Sequence, residues 1–249
     1  MRPERPPKKP ADGRRLFGDR YLAIETSSPR LSLAVGDGTK VLAAYTGAHD
    51  WRHAESLFDG IAALLRRVRW PIQSLTGVGV SKGPGSFTGI RVGLAVARAL
   101  GQSLRIPVVG VSSLEVLAAG AKTRSQWLIP QIDALRGHIF SGIFARNGSG
   151  SLHRIVSEAM FPLEGWRKKV RTRAGRKSLW ISRLKGCYPD AKVLLGLARP
   201  KLAKSGPESY QSVLPLYLRR AAAEERRLDS SPRAKRTGSP YARRGSGRI

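Results

Sequence analysis

Apolar residues along the chain fall into two periods, one of two residues and one of three to four. Tyr21–Thr26 (YLAIET) reads as a short buried strand, and Ser27-Ser28-Pro29 turns the chain. Leu31–Val35 alternates apolar and small polar residues, as a strand does. Gly36-Asp37-Gly38 supplies a hairpin turn, and Val41–Thr46 follows as a third strand. The opening is therefore a β-meander, with an acidic residue, Glu25, near the end of its first strand.

The period then changes. Ala54, Leu57, Phe58, Ile61, Leu64, Leu65 and Val68 recur at helical spacing, which predicts a helix from Trp51 to Arg69, stopped by Pro71. Thr76–Ser81 reads as a buried strand. Gly83-Pro84-Gly85-Ser86-Phe87-Thr88-Gly89 is a tight loop, and a second helix is predicted from Gly89 to Leu104. Along it Gly89, Gly93, Ala97 and Gly101 form a ridge of small residues at four-residue spacing, which permits close approach of another element. This helix is apolar nearly all round. Either it lies mid-domain, or it covers its own sheet and docks a partner.

Pro107–Val111 is a further strand, and Ser112 or Ser113 can cap a helix over Leu114–Ala121. Trp127–Asp133 opens a second strand system, with Gly137–Phe144 as its hairpin partner. After Asn147-Gly148 the period weakens. Ala191–Leu202 reads as a helix and Leu214–Leu218 as a last short strand. A meander followed by alternating helices and strands, with a similar opening repeated at Trp127, predicts an α/β architecture of two related halves. The expected divisions are a first lobe over 21–123, a second over 124–220, and basic, disordered extensions at 1–20 and 221–249.

Charge sharpens this division. The 249 residues carry 45 Lys and Arg against 17 Asp and Glu, a formal charge of +28. Residues 21–153 hold fourteen basic and seven acidic groups, whereas 154–204 hold fourteen and three. The basic character thus belongs to the later half and the ends. The tail, rich in Arg, Ser, Gly and Pro, reads either as a polyanion binder or as a solvated extension. Arg167–Lys177 (RKKVRTRAGRK) is a basic patch on a folded surface. Its cations Arg167, Lys168, Lys169, Arg171, Arg173, Arg176 and Lys177 lack interleaved aromatics, so phosphate contact is what they suggest. One cysteine, Cys187, makes neither an internal disulfide nor a cysteine metal cluster. The apolar runs are too short for a transmembrane helix, and a cytoplasmic location is expected.

Candidate chemistry is sparse. Strand, GPGSFTG loop and helix together suit an anion site, with Gly83, Gly85, Ser86, Thr88 and Gly89 around a helix N-terminus. The spacing matches neither the phosphate-loop lysine motif nor the dinucleotide fingerprint, so a purely structural turn is the other reading. His49 and His53 stand four apart but enclose no acidic base, and no GxSxG elbow is present.

The stretches AIETSSPRLSLAV, HAESL, VSKGPGSFTGIRVGLAVARALG, IPVVGVSSLEVLA, PQIDALRGHIFSGIF and LPLYLRR resemble the successive signatures of the TsaB (YeaZ) family. The resemblance is dense over 21–144, returns at 214–220, and is poor between. It implies the two-lobed fold of actin-like ATPases and sugar kinases, ribonuclease H-like in each half. It also implies a non-catalytic, scaffolding subunit of the complex that makes N6-threonylcarbamoyladenosine in tRNA. The implied partners are a TsaD-like transferase in a heterodimer, a TsaE-like ATPase and, through the complex, tRNA, with a homodimer when alone and no membrane. ATP and a metal ion would be used by those partners and no cofactor by this chain. In TsaD the stretch matching Ser112–Leu117 carries metal-binding histidines; here Ser113 and Leu117 occupy their places. Carried over by resemblance, the docking helices would present His53, Leu57, Ile61, Leu64, Arg91, Val92, Ala95 and Ala99. Two departures stand out, Leu135 and His138, where relatives place an arginine and an acid. An active ATPase or phosphotransferase on the same fold, and a tRNA-binding module acting through basic surfaces, are the alternative functions.

Overall fold

A computed structural model describes residues 18–49, 53–148, 150–174, 179–182 and 187–218. The terminal extensions expected to be disordered therefore lie almost wholly outside the described residues.

Three strands open the fold: β1 (Arg20–Glu25), β2 (Arg30–Asp37) and β3 (Val41–His49). Helix α1 (His53–Arg67), strand β4 (Gly77–Ser81), helix α2 (Phe87–Leu104), strand β5 (Val108–Val111) and helix α3 (Ser113–Gly120) follow. The sheet order is β3-β2-β1-β4-β5, antiparallel through the meander and parallel from β1 outward. β1 is central and covered on both faces, so it is apolar at consecutive positions. Leu22 and Ile24 point to the core under α1 and α2, and Tyr21 and Ala23 to the opposite one.

The second sheet repeats the plan. Strands β6 (Trp127–Leu135), β7 (His138–Arg146) and β8 (Leu152–Pro162) form an antiparallel meander, helix α4 (Leu163–Ala174) crosses over, and β9 (Leu179–Ser182) pairs parallel with β6. Its order, β8-β7-β6-β9, matches β3-β2-β1-β4 of the first sheet. The expected duplication of an α/β unit is present, and α4 is the topological counterpart of α1.

The lobes do not divide at 123/124 as expected. Helix α3 packs on the second sheet, its Leu114, Leu117 and Ala118 against Leu128, Ile132 and Phe144. Helix α5 (Ala191–Leu202) returns to the first sheet, with Leu194 and Ala198 lying over Gly79 of β4. Each lobe lends a helix to the other, so residues from Ala191 onward join the first core. The stretch Leu214–Leu218 is not a strand. Pro215 has no N–H to donate, and the backbone bond tying it to the loop before α2 is Leu216 N–H to the Lys82 carbonyl, 2.8 Å.

β8, α4 and β9 have no counterpart among the predicted elements. β8 is an edge strand with a largely exposed face, so its alternation is diluted. Helix α4 shows only Leu163, Trp166 and Val170 at helical spacing, ahead of and within a run of cations.

Candidate functional site

Helix α2 decides how the first lobe faces outward. Ser86 caps it, its hydroxyl accepting from Gly89 N–H at 3.1 Å. The small ridge turns inward: a Cβ at Gly93 would collide with the Thr26 hydroxyl, and Ala97 is fully buried. The helix therefore lies tightly on its own sheet. Its outward stripe is Phe87, Arg91, Ala95 and Ala99, again four residues apart and all exposed, with Val92 half-buried beside them.

Beside it α1 buries Leu57, Ile61 and Leu64 in the core of its own lobe. These three cannot present a surface, because they seal the helix onto the sheet. The outward positions are instead Phe58, 64% exposed, and Ala62 one turn on. His53 opens the helix, with its side chain outside the described residues, and His49 closes β3; the two do not share a helix face. At the N-terminal end of α2 the Arg91 guanidinium lies 3.7 Å over the Phe87 ring and its Nε donates to Tyr217 Oη at 3.1 Å. The face thus runs from Phe58 and Ala62 to Ala95, Ala99 and this cationic–aromatic corner. The sequence period places Phe58 in the apolar stripe of α1 and does not mark Phe87 or Tyr217 as surface residues, although 87, 91, 95 and 99 share one spacing.

The glycine loop is tied to the chain itself. Ser86 N–H donates to the Ser27 carbonyl (2.8 Å), and the Gly83 carbonyl accepts from Ser113 N–H (2.9 Å). A Cβ at Gly85 would strike Ser27 backbone, so glycine there permits the close approach of these two segments. Gly83 and Gly89 are buried, Gly85 and Ser86 half-buried, and Thr88 exposed.

Behind the loop Glu25 is fully buried. Its Oε1 accepts from Ser27 N–H (2.7 Å) and from the Ser27 hydroxyl. Burial pushes its carboxyl above the ordinary range, against those hydrogen bonds. Further out, Glu115 of α3 lies 3.7 Å from Arg154 of β8 and 3.4 Å from Lys201 of α5. Glu158 stands 3.6 Å from Arg154, its carboxyl raised by burial and lowered by the Ser112 hydroxyl and Arg154. These groups link the two lobes.

Leu117, which the resemblance sets against a metal-binding histidine, packs among Leu114, Ala118 and Leu128. Ser113 is buried, its Oγ 2.8 Å from Ser81 Oγ. Leu117 has no donor atom to offer a cation, and the Ser113 hydroxyl is engaged with Ser81. Among the described residues there is no group of three or more His, Cys, Asp or Glu able to hold a metal. Nor is any described helix long and apolar enough to cross a membrane. Of the basic run, Arg167, Lys168, Lys169 and Arg171 are exposed on α4 and Arg173 lies in its last turn. Arg176 and Lys177 lie outside the described residues.

A protein of Bacillus subtilis, tRNA threonylcarbamoyladenosine biosynthesis protein TsaB, is 30% identical over 226 residues, covering 84% of this chain and 98% of that one. The chain belongs to the TsaB family. A TsaB of Buchnera aphidicola is likewise 30% identical over 199 residues, covering 72% of this chain and 92% of its own. The crystal structure of YeaZ from Pseudomonas aeruginosa superposes with a TM-score of 0.65 at 25% identity, covering 80% of this chain and all of that one. A second Pseudomonas aeruginosa structure, described as similar to peptidase YEAZ, gives 0.68 at 26%, covering 81% and 100%. Residues 48–169 match the model of the family described as TsaD, tRNA N6-adenosine threonylcarbamoyltransferase, which places this TsaB-family chain as a paralogue of the transferase. The two-lobed α/β fold is the one those YeaZ structures share.

Proposed function

We propose that this chain is a non-catalytic subunit of the machinery that makes N6-threonylcarbamoyladenosine in tRNA. It docks a TsaD-like transferase through the outward faces of α1 and α2. The observation that carries this reading is the unpartnered stripe of Phe58, Ala62, Ala95 and Ala99 on two adjacent helices of the first lobe. Small residues let a partner helix approach closely, and an exposed phenylalanine at such a seam gains by being covered. Alone, the same face can pair with a second copy of the chain. TsaE-like ATPase and tRNA join through the complex, and ATP and a metal ion serve the partners. The inward use of Leu117, the self-tied glycine loop and the absence of a metal-binding cluster among the described residues support an accessory role.

The test is to mix the full chain with the TsaD-like protein of the same genome and follow size exclusion with light scattering. A heterodimer, and tRNA threonylcarbamoylation that requires this chain, is the expected result. No complex with or without ATP would overturn the proposal.

A further inference from the structure

Helix α4 holds the same place in the second lobe that α1 holds in the first, but its outward chemistry is opposite. It is seated by Trp166, 1% exposed, and Val170, fully buried, with Trp166 stacked on Phe161 at 3.9 Å. Lys169 folds its ammonium 5.5 Å over the Phe161 ring. Arg167, Lys168 and Arg171 point to solvent, and among the described residues none of them pairs with a carboxylate. The one acid of the helix is Glu164, in its first turn.

We propose that this face is a binding surface for the phosphate backbone of RNA, namely the tRNA acted on by the complex; the inference rests on the functional reading above. Arg167 and Arg171, about 6 Å apart along the helix with Lys168 between them, form an unpaired cationic stretch that fits a polyanion. No exposed aromatic or apolar side chain accompanies them, so they can position a backbone but not read bases. The same lack excludes a membrane anchor: the apolar residues of α4 that would enter a bilayer interface are already buried in the lobe. The duplicated fold thus assigns protein docking to one crossover helix and RNA contact to its counterpart.

The test compares the full chain with Arg167→Glu/Lys168→Glu/Arg171→Glu and with a charge-matched tail variant, Arg226→Glu/Arg227→Glu/Arg233→Glu. Binding to an unmodified tRNA transcript is read by fluorescence anisotropy between about 50 and 200 mM salt. The helix variant should bind at least about tenfold more weakly and flatten the log–log salt slope by about 2 to 3, more than the tail variant does. Equal or smaller losses than in the tail variant would overturn the proposal. So would loss of binding to phosphatidylserine vesicles with tRNA affinity unchanged. If charge reversal melts the fold, the triple alanine variant, which keeps helix propensity, is read by the same criteria. Heterodimer formation with the TsaD-like protein, measured on the same variants, is expected to persist. Its failure in the wild-type chain would count against the docking proposal, whereas an RNA result is read from the chain alone.

Discussion

The guanidinium of Arg146, in the last position of β7, donates to the carbonyl of Ala121 at 3.1 Å, just past the end of α3. The same side chain reaches the carbonyls of Ala118 and Thr123 at 3.2 and 3.1 Å. One cation of the second lobe therefore satisfies the open C-terminal carbonyls of a helix lent by the first.

Arg146→Ala should lower stability by about 2 kcal/mol, because charged donors are lost from several carbonyls at once. Arg146→Lys should recover only part of it, since an ammonium cannot span the same set of acceptors. Thermal melts of both variants check this; an unchanged midpoint for Arg146→Ala would remove Arg146 as the fastener.

Asp37 closes the β2–β3 turn by accepting from the Thr39 hydroxyl and N–H, both 2.7 Å, and Lys40 N–H, 2.8 Å. The Thr39 hydroxyl and these N–H groups hold its carboxyl down to about 2. A depressed folded value means stability present above the ordinary aspartate range and lost as pH falls through that of the fold. Asp37→Asn should thus be less stable than wild type by about 1 kcal/mol near neutrality, allowing for solvent screening. The gap should close between about pH 4 and pH 2. Denaturant midpoints across that range measure it.

Glu25 has the opposite sign. Its burial raises the carboxyl above 4.5, so the native state holds the proton longer than the unfolded chain does. Stability then falls as pH rises above that value, until the folded group itself ionises. Glu25→Gln should remove this fall while leaving the melting temperature at low pH close to wild type. Parallel stability–pH curves for the two proteins would show that Glu25 does not titrate in this way.

How much of this was legible in the sequence follows from what each signal physically reports. The central strands β1 and β4 were readable because both their faces are buried, and α2 because its inward ridge and flanking apolar residues keep an unbroken helical period. β8 escaped because an exposed edge strand needs few apolar side chains, and α4 because three anchors, Leu163, Trp166 and Val170, suffice to seat it. The exchange of α3 and α5 between lobes leaves no local trace: a period shows that a helix is apolar on one side, not which sheet it covers. The same limit explains the docking face. Leu57, Ile61 and Leu64 stand out as the apolar stripe of α1, and for that reason they belong to its own core. The surface a partner can reach falls to Phe58, which the period places in the same stripe but the fold turns outward, and to Ala62.

That distinction makes the docking proposal separable from a folding defect. Phe58→Glu and Ala95→Glu change exposed positions on α1 and α2, so each should alter the melting temperature little, within about 0.5 kcal/mol of stability. Each should nonetheless weaken the complex with the TsaD-like protein at least about tenfold, by placing an unpaired charge within a covered seam. Leu57→Ala, in contrast, opens a cavity beneath α1 and should reduce stability by about 3 kcal/mol. At temperatures where it stays folded, it should bind the partner nearly as well as wild type. Isothermal titration alongside melts gives both quantities for each variant. Unimpaired binding by Phe58→Glu and Ala95→Glu would move the partner to another face of the first lobe.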